Sequence, residues 1–132
     1  MTHISHHALT EQHFEQLYQA LNKRIARLDK HRSITFFDEL LTPSEKIMLT
    51  KRFSAIAMLQ QRYSSYRIAA TLRMSYSTIA KMSVRFESGK YRHIVALLGG
   101  RRKDAHFLDI LETLLLAGMP PRGRNRWRAL NQ

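Results

Sequence analysis

The residues of this 132-residue chain best suited to chemistry are hydrogen-bond donors and cations, not catalysts. Ser64, Ser65, Tyr66, Arg67, Arg73, Ser75, Tyr76, Ser77, Thr78, Ala80, Lys81 and Arg85 fall close together with no carboxylate among them. Hydroxyls of this kind meet base edges, while guanidinium and ammonium groups hold phosphates. On a helix over about residues 76–85, the outward face carries Tyr76, Ser77, Ala80, Lys81 and Val84 or Arg85. Tyr76 and Ser77, on the first turn, are best placed for base edges, and Ala80 suits a thymine methyl. Lys81 and Arg85 suit phosphate or guanine. Ser64 to Arg67 open the preceding helix, whose N-terminus can seat a phosphate.

Other chemistry is poorly supplied. There is no cysteine, which excludes disulfides, thiol catalysis and thiolate metal sites. No Gly-rich phosphate loop, nucleophile elbow or HExxH motif occurs. Asp38 and Glu39 are the nearest approach to paired carboxylates, but neighbours in sequence point apart on a helix. His3, His6 and His7 have a spacing that can ligate a metal. An extended polar terminus is the simpler reading of them. Neither an enzyme, a metal site nor a cofactor is expected.

Charge narrows the partner. The formal net charge is +12. Residues 1–41 balance five basic against five acidic residues, whereas residues 42–98 carry ten basic and two acidic. Between Glu45 and Glu87 eight basic residues stand with no acid. A solvated face normally mixes both signs, because uncompensated like charges oppose folding. A one-signed block points to an anionic partner, nucleic acid before membrane. No apolar run approaches the roughly 18 residues of a membrane span. The start of the chain lacks the pattern of a secretory signal, so the cytosol is the expected compartment.

The elements that must position these residues are helical. Strand signals are poor, and apolar residues recur at spacings of three and four. Phe14, Leu17, Leu21, Ile25 and Leu28 make one face of a helix over about residues 10–31, with Thr10 as N-cap. A turn is expected over Ser33–Leu41. Thr42-Pro43-Ser44-Glu45 then starts a helix, with Thr42 capping, Pro43 at the first helical position and Glu45 closing a capping box. That helix should offer Leu49, Phe53, Ile56 and Leu59 or Gln60 to the core and end near Gln61 or Arg62. A short helix His93–Leu98 follows, flanked by glycines. A last helix, about Asp104–Ala117, should bury Phe107, Leu108, Leu111, Leu114 and Leu115 and stop at Gly118 and Pro120-Pro121.

The organisation expected is an N-terminal helical region 1–41, a DNA-binding core 42–98, a C-terminal helix 99–118 and a basic tail 119–132. The tail, with Arg122, Arg124, Arg126 and Arg128 around Trp127, reads as disordered. It suits a DNA groove, RNA bases or an anionic membrane, or simply adds nonspecific affinity.

Residues 65–84 fit a helix-turn-helix. Ile68, Ala69, Leu72, Met74, Ile79 and Met82 are the inward residues this motif needs, and Ala69 must be small where the helices cross. Ser75 caps the second helix, which enters the major groove while the first crosses the backbone. Arg73 holds the turn position usually given to glycine, where the backbone is left-handed. That costs about 1 kcal/mol relative to Gly, which a phosphate contact would offset.

With these residues placed, the chain resembles the Trp repressor family, and more closely its Trp-repressor-related branch of uncertain ligand. The resemblance rests on Leu41-Thr42-Pro43-Ser44-Glu45, Lys51-Arg52, Ser65-Tyr66-Arg67-Ile68-Ala69 and Ser77-Thr78-Ile79-Ala80-Lys81, within about residues 38–98. It implies an all-α bundle and an intertwined homodimer whose two heads face successive major grooves, about 34–36 Å apart. The sign-balanced N-terminal helix suits the dimer role. The resemblance also implies an effector pocket, in which Thr42 and Arg52 match positions that hold a ligand's amino and carboxylate ends. Thr42 already has a capping job, and Arg52 equally suits a phosphate. Lys81 stands where the family has an Arg that stacks on an indole, and Lys lacks that planar surface. Met82 stands where the family has a Gly that leaves room for the ring. Tryptophan is therefore not expected as corepressor, and the sequence names no other effector.

The reading is a homodimeric, sequence-specific regulator of transcription that binds double-stranded DNA, most simply a repressor. Two alternatives share its features. One is an RNA-binding or nucleoid-type protein without sequence readout. The other is the DNA-recognition subunit of a transposase-like system.

Overall fold

The computed structural model describes residues 9–99 and 105–117. The described residues form seven helices and no strand: α1 (Glu11–Ile25), α2 (Lys30–Leu40), α3 (Pro43–Gln60), α4 (Ser65–Leu72), α5 (Tyr76–Glu87), α6 (Arg92–Leu98) and α7 (Ala105–Ala117). The His3/His6/His7 cluster, the Asp104 cap, the Gly118–Pro121 stop and the basic tail lie outside the described residues. Among those described, no group of side chains is arranged to hold a metal ion, and no helix is long and apolar enough to cross a membrane.

The chain divides into two compact units, residues 1–46 and 47–132. In the first, Thr10 caps α1 by accepting a hydrogen bond from the His13 amide at 3.2 Å. The expected turn over Ser33–Leu41 is instead α2, and the expected helix to residue 31 stops at Ile25. The reason is Asp29, whose carboxylate accepts from the Arg32 amide at 2.8 Å and starts a new helix inside the apparent periodicity Leu21-Ile25-Leu28. Neither α1 nor α2 buries a single residue within this chain. Phe14, Leu17, Tyr18, Ile34, Phe37 and Leu40 are all exposed, and the Phe14 and Tyr18 rings stack at 6.1 Å.

The start of α3 is built as its residues require. The Thr42 amide donates to Glu45 Oε1 at 2.9 Å, and the Glu45 amide donates to Thr42 Oγ1 at 3.2 Å, a reciprocal capping box. Both bonds involving Thr42 favour the charged carboxylate and hold the Glu45 pKa below the ordinary glutamate value.

In the second unit, α3 buries Ser54 through Leu59 on all sides, and the core joins these to Ile68, Ala69, Leu72, Ile79, Met82, Tyr91, Leu98, Leu111 and Leu115. Three expected core residues are exposed: Leu49, Phe53 and Leu114. Periodicity identifies residues that share a helix face but not how far along the helix that face is covered, and the cover on α3 begins only at Ser54. Phe53 stands at the core's margin, its ring 5.6 Å from Phe107. On α7, Leu111 and Leu115 are buried and Phe107 and Leu108 half-buried.

Candidate nucleic-acid interface

The helices α4 and α5 pack against each other through the residues the motif needs. Ile68 and Ile79 are fully buried, Met82, Ala69 and Leu72 nearly so, and Met74 in the turn packs half-buried on the same core. Each helix starts on a serine. Ser64 Oγ accepts from the Arg67 amide and Ser75 Oγ from the Thr78 amide, both at 3.2 Å. Arg73 takes the left-handed conformation at φ 54° and ψ 51°, and Lys51 Nζ donates to its carbonyl at 3.3 Å. The turn is thus tied to α3 through a residue that sequence reasoning did not place there. Its signal is the basic pair Lys51-Arg52 on α3.

With Ile79 and Met82 turned inward, α5 presents Tyr76, Ser77, Lys81, Val84 and Arg85 outward; Ala80 is half-exposed. Tyr76 is 59% exposed and Val84 64%. Tyr66 on α4 is exposed at 69%. The site residues fall into two groups. Tyr66, Tyr76, Ser77, Lys81 and Arg73 have accessible side chains. Ser64, Ser75 and Thr78 are drawn into the caps, the last two sharing a 2.6 Å hydroxyl contact. Arg67 and Arg85 are neither free nor buried, since their guanidinium carbons lie 5.5 Å from the centroids of Tyr63 and Tyr91, a cation–π distance. Those tyrosines hold the two arginines beside the helices that carry them, another feature that needs tertiary structure to see. Ser65 is half-exposed on the first turn of α4.

A cavity of about 440 Å³ lies between α3 and the turn, lined by Met48, Leu49, Lys51, Arg52, Met74, Ser75 and Thr78. Of the candidate effector residues, Arg52 lines it, Lys81 is exposed on α5, and Thr42 is engaged in the capping box.

A helical scaffold that buries one side of α5 and leaves the other polar and accessible, within a stretch free of carboxylates, defines a DNA-binding helix-turn-helix protein. The family model described as Trp repressor protein matches residues 12–98, two thirds of the chain, and the protein belongs to that family. The family is one of DNA-binding transcription regulators, and α7 lies beyond the matched segment. No curated protein and no solved structure matches the chain.

Proposed function

We propose that the protein is a homodimeric, sequence-specific transcriptional repressor that reads the major groove with the N-terminal half of α5. The observation that carries this reading is the division of α5 into an inner face sealed by Ile79 and Met82 and an outer face with Tyr76, Ser77 and Lys81 accessible. Base readout falls to Tyr76 and Ser77. Affinity comes largely from phosphate neutralisation by the one-signed block between Glu45 and Glu87. The exposed apolar faces of α1 and α2 support self-association, because helices of 15 and 11 residues with no buried side chain gain little stability alone.

Recovering bound fragments from genomic DNA with the purified chain should return a palindromic site. Substituting Tyr76→Ala and Ser77→Ala together is expected to weaken binding to that site by roughly 1–3 kcal/mol per lost base contact while leaving mixed-sequence binding nearly unchanged. Equal losses on both DNAs would favour a protein that binds nucleic acid without reading sequence.

We further propose that tryptophan is not its corepressor. Met82 is 4% exposed and fills the position where a ring would need room, and Lys81 offers no planar surface to stack on one. Calorimetric titration with tryptophan should give no binding heat. A dissociation constant on the order of micromolar would sink the claim.

A further inference from the structure

Among the described residues, three positions have positive φ: Arg62 at 65°, Arg73 at 54° and Gly89 at 75°. Gly89, just past the C-cap of α5, is the residue type such a backbone favours. The other two precede the helices of the helix-turn-helix and are both arginine. Their surroundings repeat. After Arg62, the Tyr63 amide reaches back to the Met58 carbonyl at 3.1 Å, and after Arg73, the Met74 amide reaches back to the Ala69 carbonyl at 3.0 Å. Tyr63 and Met74 both pack on the core, and each is followed by the serine that caps the next helix. The unit is therefore a left-handed arginine, an apolar anchor and a serine cap, used once before α4 and once before α5.

A side chain at such a position gives up stability that glycine would keep. Both arginines nevertheless point charge at nothing within the protein: among the described residues neither guanidinium has a hydrogen-bond, ion-pair or ring partner. Arg67 and Arg85, by contrast, stack on tyrosines. The apolar anchors fix where the two free cations stand, beside the starts of α4 and α5. In a docked helix-turn-helix, those starts approach the DNA backbone.

We infer that Arg62 and Arg73 act as a matched pair of phosphate contacts, placed by the same backbone device, and that Arg62 belongs to the DNA interface although it precedes the motif. The inference rests on the helix-turn-helix reading proposed above. The test uses the full chain, a 30-base-pair duplex of mixed sequence and a series of salt concentrations. Arg62→Gly and Arg73→Gly are each expected to weaken binding roughly fivefold to tenfold at about 0.1 M salt and to flatten the logarithmic salt slope by about 0.9, the signature of one phosphate released. Both variants should also melt a few degrees higher, since glycine relieves the left-handed backbone. Arg62→Lys should keep the salt slope. Unchanged slopes in the glycine variants overturn the inference, and so do lowered melting temperatures. Lys81→Glu on α5 separates the two levels of the argument. If it abolishes binding while the glycine variants keep their slopes, this inference falls and the reading of α5 stands. If it leaves binding intact, the reading falls and the inference with it.

Discussion

Replacing Ile79 with alanine is expected to cost about 3–4 kcal/mol of stability, a large fraction of the roughly 5–15 kcal/mol that holds a domain together. Ile79 is fully buried, on the inner face of α5, against a core that includes Ile68, also fully buried, on α4. Removing its outer carbons loses their transfer from water and leaves a cavity that two short, capped helices cannot easily close. Ile79→Val, which removes one methylene, should cost only about 0.5–1.5 kcal/mol. Equilibrium urea unfolding of the three proteins at equal protomer concentration provides the check. The alanine variant should also bind DNA more weakly, because α5 loses the seat that fixes its outer face. A cost below about 1 kcal/mol for alanine would mean that α4 and α5 are not held together here.

This joint is the part of the protein most legible in its sequence. Ile68, Ala69, Leu72, Ile79 and Met82 are all buried, and Ser75 caps the helix it was expected to cap. Short helices joined by a tight turn leave few ways to pack, so residue type and spacing nearly determine the contact. The capping boundaries at Thr10 and at Thr42–Glu45 were legible for a similar reason, since a cap involves residues within three positions of one another.

What was not legible depended on contacts distant in sequence or on exceptions to residue preference. The helix α2 hid because Asp29, its cap, sits next to Leu28, where an apparently continuous stripe was still running. Burial of residues 54–59 around the whole circumference of α3 erases the amphipathic pattern that would have announced it. Arg62 gives no sign of a left-handed backbone, because the usual sign is a glycine. The pairing of Arg67 with Tyr63 and of Arg85 with Tyr91 follows from where the helices end, which local spacing does not fix. The candidate interface was thus readable as a set of residue types, whereas the structure separates cations held on tyrosine rings from those left free.

Disrupting the apolar face of α1 should have the largest effect on operator binding. Phe14→Glu with Leu17→Glu places two charges on residues 57% and 59% exposed within the chain, so neither charge is buried in the protomer. Glutamate is also a good helix former, and α1 should persist. Under the proposed dimer, however, both charges would enter a desolvated interface, where an unpaired charge is strongly unfavourable. The variant is expected to sediment as a monomer at micromolar concentration. Two linked heads bind a palindrome more tightly than one because the second contact is made at high effective concentration, an advantage of roughly 10²–10⁴ in affinity. The monomer should lose most of that factor on the selected site. It should keep the salt dependence of a single head on mixed-sequence DNA, since α5 and the basic block are untouched. If the doubly substituted chain retains a dimer's mass and its operator affinity, then α1 is not the interface, and the exposure of Phe14 and Leu17 must serve something other than self-association.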